Sequence, residues 1–275
     1  MQSDEQIQFN KKVNDQVSQK YERRHGEIFN AVEQERLKKA LSTAVEAVRT
    51  GTKPLKALDY GCGSGNLTRY LIELGMETTS ADISEGFLAM IERNFFQTGL
   101  SKVLTINGKD LSNVPNNTFD FVATYSVLHH VPDYLHIVQE MARVLKPGGV
   151  IYIDHEVNES YYQRPKEYIE FLQRARPGVN TKRYLRLLTD VKGYKHLFRR
   201  LLNPRYKPEG DIHVWPDDHI EWDRIEQILT SEGFEIIQKE DYLLCRSSYD
   251  LNVYNEYKNK CADERVIIAR KRVSG

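Results

Sequence analysis

The chain is poor in cysteine: Cys62, Cys245 and Cys261 are the only three in 275 residues. They are odd in number, far apart and without a CxxC pair, which excludes a disulfide framework and a CxxC-based zinc site. Each reads as a reduced thiol, in keeping with a cytoplasmic setting. No apolar run approaches the roughly 20 residues needed to span a bilayer. The opening MQSDEQIQFNKK lacks the apolar stretch of a secretory signal, so no membrane partner is expected. Net charge is absent too. The 39 Lys and Arg balance 39 Asp and Glu, which argues against a bulk binder of nucleic acid or membrane surfaces. Internal repeats and low-complexity segments are missing as well.

What remains is the composition of a globular protein, 40% hydrophobic and 28% charged, long enough for one large domain with an embellishment. The first fifty residues read as helices. Phe9, Val13, Val17 and Tyr21 recur every four residues, which stripes one helical face. Val32, Leu37, Leu41, Ala44, Val45 and Val48 form a second stripe that Gly51 closes. From Lys56 the pattern alternates. Strands are expected at Ala57–Tyr60, Met76–Ile83, Val103–Ile106, Phe119–Val127 and Val150–Ile153, with helices between them. Such alternation builds βαβ units, hence a parallel sheet covered on both faces. Lys146-Pro147-Gly148-Gly149 is a turn.

The alternation stops near Glu156. Ser160–Gly210, broken by Pro165, Pro177-Gly178, Gly193 and Pro204, reads as a helical insertion. A helix from about Asp218 to Glu232, capped by Asp218, comes next. Phe234–Leu244 and Arg265–Ala269 then read as two strands with no convincing helix between them, so they should pair antiparallel at the sheet edge. The fold class is thus α/β: a doubly wound, seven-stranded, mostly parallel, Rossmann-like sheet with an antiparallel edge pair. The expected divisions are an N-terminal helical lid (1–52), a cofactor-binding core (53–157), a helical insertion or cap (158–212) and the end of the core (213–275).

Asp59-Tyr60-Gly61-Cys62-Gly63-Ser64-Gly65 joins a strand to a helix. Glycines permit positive φ and a close backbone approach to a ligand, and open α/β sheets bind ligands at this end of their strands. A dinucleotide motif fails, because its third glycine would fall at Asn66. A carboxylate at Asp59 would repel a pyrophosphate but could meet a cationic amino-acid group. Asp82 ends the next strand, where an acid can accept hydrogen bonds from ribose hydroxyls.

Taken in order, DYGCGSG, ADIS, FDFVATYSVLHHV and VLKPGGV resemble the class I S-adenosylmethionine-dependent methyltransferases, closely over Lys56–Glu156. The resemblance implies that S-adenosyl-L-methionine is the cofactor and S-adenosyl-L-homocysteine the product. It implies that Gly61, Gly63 and Gly65 wrap the methionine part, that Asp59 holds its amino group, and that Asp82 binds both ribose hydroxyls with Ile83 against the adenine. An acid after the third strand usually takes the adenine amino group. Within Asn107-Gly108-Lys109-Asp110 the register leaves Asn107 and Asp110 both open. Tyr125 and Ser126 would lie near the methionine moiety.

Methyl transfer needs position and electrostatics more than a protein nucleophile, and a general base serves only an acceptor that must lose a proton. His130, after the fourth strand, and His155, ending the fifth, are the candidate catalytic groups. Tyr21, His25, Phe29 and Asn30 in the N-terminal join, with Glu156, Tyr161 and Tyr162, are acceptor-side candidates. His129 and His130 invite a metal pair, but adjacent residues on a helix or strand diverge, so no metal is expected.

Charge is unevenly spread. Ser160–Gly210 carries thirteen basic and four acidic residues, whereas Asp211–Cys245 carries ten acidic and two basic. The basic segment either caps the pocket and steers an anionic acceptor or is neutralised by packing on its acidic neighbour. The expected function is methyl transfer to a small-molecule acceptor. The alternatives are a cyclase or lyase-like use of the same cofactor, and a nucleic-acid methyltransferase using the basic insertion.

Overall fold

In the computed structural model, residues 3–17, 22, 25–48, 54–176 and 199–273 are described. The strand β1 (Lys56–Tyr60) is buried from its second residue onward, with no polar alternation. That is the pattern of a parallel strand covered on both faces. It pairs in parallel with β2 (Glu77–Asp82) and with β4 (Phe119–Tyr125). β3 (Ser101–Thr105) extends the sheet beyond β2, and β5 (Leu145–Val157) extends it beyond β4. β9 (Glu264–Lys271) lies antiparallel to β5, and β8 (Phe234–Tyr242) antiparallel to β9. The seven-stranded order is β3-β2-β1-β4-β5-β9-β8. Strands β2 and β3 are added on one side of β1, and β4 and β5 on the other, so the crevice beyond the carboxyl ends of β1 and β4 is the topological switch point.

Helices cover both faces. Two helices precede the sheet: α1 (Ser3–Val17) and α2 (Ala31–Glu46). Leu37, Leu41 and Val45 of α2 pack with Leu67 and Leu71 of α3 (Asn66–Glu73) against Phe121 and Tyr152. α4 (Glu85–Phe95) follows β2, with Ser84 as its N-cap. On the opposite face, Ile137 and Met141 of α5 (Tyr134–Val144) meet Ile225 and Leu229 of α8 (Trp222–Ser231) over Val122 and Ile151. A satellite core beside the sheet edge joins Tyr168 and Phe171 of α7 (Lys166–Ala175) to Tyr254 and Tyr257 of α9 (Leu251–Tyr257). The short α6 (Glu159–Gln163) leads into α7. Among the described residues no helix is long and apolar enough to cross a membrane.

Several expectations are corrected. A helix does lie between the last two strands, α9, because Asp250 caps it by accepting from the N–H groups of Asn252 and Val253; at seven residues its apolar signal is short. Asp218 does not cap a helix. It pairs within a two-stranded ribbon, β6 (Val214–Trp215) with β7 (Asp218–His219), and α8 starts four residues later at Trp222. The expected turn at Lys146–Gly149 is an interruption inside β5: Leu145 pairs with Phe119, and pairing resumes at Val150 with Phe121. On α1 the buried positions are Gln6, Ile7 and Asn10 rather than the Phe9 stripe, since the helix packs over a cavity instead of a dry core. Tyr21, Gly51 and residues 177–198 of the insertion lie outside the described residues, as does the Val17 side chain.

Candidate active site

Gly61 and Gly63 turn the chain away from β1 with φ of +72° and +49°. A Cβ at Gly61 would sit 2.5 Å from a Val127 methyl, so only glycine fits there. A Cβ at Gly63 would meet nothing within 4 Å, because that face opens on a cavity of about 1350 Å³. Gly65 also has positive φ and begins α3, packed against Ile91 and Phe95.

Asp82 stands at this cavity, 5% exposed. Its two oxygens accept from the N–H groups of Gly63 at 3.0 Å and Ser84 at 2.8 Å, which locks the carboxylate's orientation and leaves lone pairs free. Burial raises its pKa to about 6, against the opposing hydrogen bonds. Asp59 is deeper. It accepts from the Thr68 hydroxyl at 2.6 Å and borders a small cleft shared with Tyr125 and Ser126. Burial, with Asp82 nearby, raises its pKa to about 7. The Tyr125 hydroxyl is buried without a hydrogen-bond partner. Ser126 adopts φ +60° while its N–H donates to Asp154.

Beyond Asp82 the wall becomes apolar. Ile83, Ile106 and Gly108 line it with Ile7 of α1. A Cβ at Gly108 would come within 3.2 Å of both Ile7 and Ile83, so the slot is narrow. The side chains of Asn107 and Asp110 are not part of this lining. Asn107 donates to Asp110 at 2.9 Å and accepts from the N–H groups of Lys109 and Asp110. Asp110 also takes the Ser112 hydroxyl and N–H, which lower its pKa to about 2. Both side chains stabilise their own turn.

The other end of the cavity is rich in ionisable groups. Glu156 accepts from the N–H groups of Val127 (2.9 Å) and Leu128 (2.7 Å) and pairs with His129 Nδ1 at 2.7 Å. It thereby fixes the turn Leu128–His130 that follows β4. Burial alone would lower the His129 pKa, but the charge and hydrogen bond of Glu156 outweigh it and hold it at about 9. His130 goes the other way, to about 4, through burial and then the His129 charge. His155 has φ +62° and its ring stacks on Tyr125 at 4.7 Å. Its Nδ1 lacks a hydrogen-bond partner, and so does Oε2 of Glu264, 3.8 Å away. Burial lowers the His155 pKa well below the usual range, and burial with Asp263 and Glu156 nearby raises that of Glu264.

A largely buried network supports this wall. Asp154 accepts from Arg36 at 3.1 and 3.2 Å, from Tyr242 at 2.9 Å and from Tyr152. Arg36 also donates to Glu33, which takes the Cys245 N–H at 2.8 Å. The network ties α2 to β5 and β8. It also fixes the backbone of His155, whose N–H donates to Asp154 at 2.7 Å.

The remaining sequence candidates divide. His25 lines the cavity and pairs with Glu27 at 2.8 Å. Asn30 is the N-cap of α2 and donates to the Cys245 carbonyl at 2.7 Å. Tyr161 meets Tyr162 edge-to-face and packs against the satellite core, away from the cavity lining. Cavity residues not anticipated as site residues include His129, Asp211, Arg246 and Glu264. His129 was visible in the HH pair. Glu264 had a signal in the charged run Asp263-Glu264-Arg265 opening an apolar strand. Nothing in the sequence singles out Arg246 or Asp211, because loops bring them in. Of the basic insertion, Arg199 lines the cavity, whereas Arg205 pairs with Asp217 and Asp218 of the acidic stretch.

Residues 58–153 match the family described as "Methyltransferase domain". The ubiquinone biosynthesis O-methyltransferase of Methylococcus capsulatus is 35% identical over 98 residues, 35% of this chain and 41% of that protein. The demethylmenaquinone methyltransferase of Bacillus licheniformis is 37% identical over 102 residues, 36% of this chain and 44% of that protein. The chain thus spans less than half the length of either curated relative. In fold, it is similar to an S-adenosylmethionine-dependent methyltransferase of Mesorhizobium loti, with a TM-score of 0.53, 20% identity, and coverage of 83% of this chain and 96% of that one. Residues 58–153 thus carry a methyltransferase domain, set in the fold of S-adenosylmethionine-dependent methyltransferases. The cofactor of that family is S-adenosylmethionine, and S-adenosylhomocysteine is its product. The residues present fit this group: an open glycine face, a buried carboxylate with spare lone pairs and a narrow apolar slot line one cavity, and an orphaned tyrosine hydroxyl borders the small cleft beside the glycine turn.

Proposed function

We propose that the protein transfers a methyl group from S-adenosylmethionine to an oxygen of a small acceptor that carries an acidic group. One observation carries this reading. The cavity that begins at the glycine turn and Asp82 continues, unbroken, to a wall holding His155, Glu264 and Arg246.

The residues divide along that path. Asp82 would accept from the ribose hydroxyls, the Ile83–Ile106–Gly108 slot would take the adenine, and Asp59 would face the amino group across the small cleft. Tyr125 and Ser126 border the methionine end. The sulfonium, once bound, supplies an electrophilic methyl group. Arg246 lines the acceptor end, where, against burial, the nearby charges of Asp263 and Glu264 raise its pKa. It would hold the acid group of the acceptor by a charge-assisted hydrogen bond. His155 and Glu264 stand beside it with unsatisfied atoms. A buried imidazole with a lowered pKa is neutral, and it can accept the proton that an acceptor hydroxyl loses. α1 closes over the pocket: Gln6 donates to the Gly210 carbonyl and Asn10 to that of His130, both at 2.9 Å. The enclosed shape favours a small acceptor over a polynucleotide. The two curated relatives are named for quinone biosynthesis, and that supports an aromatic acceptor of this kind.

The test is a panel of hydroxylated aromatic acids and hydroxyquinones assayed for S-adenosylhomocysteine release, with mass spectrometry of the acceptor. A mass gain of one methylene is expected. A rearranged acceptor of unchanged mass would instead identify a cyclase- or lyase-like enzyme. In Arg246→Gln, loss of the charged contact should raise KM for an acidic acceptor roughly 10- to 100-fold, at about 1.5–3 kcal/mol for such a bond. An equal effect on a neutral acceptor would remove the assigned role.

A further inference from the structure

We propose that His129, His130 and Asp211 form a binding site for a divalent transition metal, with zinc as the first choice, at the acceptor end of the cavity. The adjacency argument against a histidine pair presumes a regular helix or strand. These residues instead occupy the 3₁₀ turn Leu128–His130. There the two rings lie side by side, with centroids 4.2 Å apart and planes inclined by 42°. Asp211 arrives from the far side, on a segment held in place by the N–H groups of Ile212 and His213, which donate to the His129 carbonyl at 3.0 and 3.1 Å. One potential ligand atom from each of the three residues lies within 4.8 Å of the other two. In a tetrahedral zinc site, bonds of roughly 2.0–2.1 Å put ligands about 3.3 Å apart, so modest rotations of two rings and a carboxylate complete the set.

Three details favour a metal over an accidental cluster. His129 uses Nδ1 on Glu156 at 2.7 Å, which aims Nε2 elsewhere. A carboxylate behind a ligating imidazole is the usual outer support of a metal-bound histidine. Glu156 is itself held by two backbone N–H groups, so that support is rigid. Nδ1 of His130 is buried without a hydrogen-bond partner, 3.5 Å from Asp211. Two imidazoles and one carboxylate suit zinc and its first-row neighbours rather than magnesium or calcium. Among the described residues three protein groups are supplied, and all three line the cavity. A fourth position would therefore face the acceptor, as in catalytic rather than structural zinc sites. An acceptor oxygen placed there would lose its proton more readily; this last point rests on the methyl-transfer reading, whereas metal binding does not.

The experiment uses the untagged full chain, stripped with chelator and titrated with Co²⁺ in the absence of cofactor and acceptor. Uptake of one equivalent with the intense visible bands of tetrahedral cobalt, displaced by Zn²⁺, is expected. His130→Ala and Asp211→Asn should each weaken Co²⁺ binding by about tenfold or more. Zinc-edge X-ray absorption on the wild-type protein keeps the proposal testable if a variant misfolds, and two imidazoles with a mixed nitrogen–oxygen shell are expected. No Co²⁺ uptake, uptake equal in wild type and both variants, or a shell without two imidazoles would overturn the proposal. Because metal uptake is read without turnover, its failure leaves methyl transfer standing, and the reverse failure leaves the metal site standing.

Discussion

Asp82→Asn is the most direct probe of the cofactor site. The carboxylate accepts from Gly63 and Ser84 and sits at the cavity wall. In the proposed complex it also accepts from two ribose hydroxyls. Asparagine keeps one acceptor oxygen and turns the other into an NH₂ group, which must then face a backbone N–H or a hydroxyl. Losing one charge-assisted bond and leaving a donor opposed costs about 2–4 kcal/mol, or roughly 30- to 1000-fold in Kd. The assay is calorimetric titration with S-adenosylhomocysteine at several pH values. In the free wild-type protein, burial holds this carboxyl at a pKa of about 6. Since the ligand needs the ionised form, affinity is insensitive to Asp82 above that pH and falls as the pH drops through it, by up to about tenfold per unit. Asp59, at about 7, adds a second proton to the wild-type slope. Asp82→Asn should therefore bind weakly at pH 8 and lose one proton's worth of pH dependence. A folded variant with affinity within about threefold of wild type at pH 8, or with the full wild-type slope, would refute the reasoning.

Two further outcomes concern the ligand-free protein. Asp59 has a folded-state pKa raised from 3.8 to about 7, so its ionisation opposes folding. Its cost is absent below the unfolded value, grows as pH rises between the two values and is complete above the folded one. Asp59→Asn can retain the Thr68 hydrogen bond and should stabilise the protein at pH 8 by on the order of 1–4 kcal/mol, measured by urea denaturation; a variant no more stable than wild type there contradicts the electrostatics. Gly210→Ala places a Cβ 2.0 Å from Asn10 Oδ1 at φ +87°, so α1 should lift from the pocket. A penalty of about 1–3 kcal/mol appears as roughly 5- to 150-fold faster hydrogen exchange in α1, and unchanged protection would show that this contact does not hold the helix down.

The cofactor half of the site was legible because it is local. Strand, glycine turn and helix follow one another between Lys56 and Glu73, and Asp82 ends the very next strand. Backbone geometry there is dictated by residue type: positive φ at Gly61 and Gly63, and continuous apolar runs in strands buried on both faces. The same locality misleads where a turn can use a side chain for itself. Asn107 and Asp110 have the acid and amide that suggest a ligand, yet they are occupied with each other and with their own backbone.

The acceptor half was only partly legible: His25, His130, His155 and Glu156 were candidates that do line the cavity, but their partners were not, for a physical reason. Its groups come from the join before α2, the turn after β4, the end of β5, the segment before β6, the loop after β8 and the start of β9, and only the tertiary fold selects which of them meet. The sequence offers His155 as a catalytic candidate but not its surroundings: Asp154 fixes its backbone, and Glu264 faces it from an antiparallel partner strand. Charge counting along the chain could not find that arrangement. The excess positive charge of Ser160–Gly210 is partly answered by Asp217 and Asp218, while the cation best placed for an acceptor, Arg246, stands just beyond the acidic stretch. Unsatisfied buried atoms on His130, His155 and Glu264 are costly to the empty protein. They converge on one cavity, and a site built to receive polar ligand atoms explains why they are tolerated there.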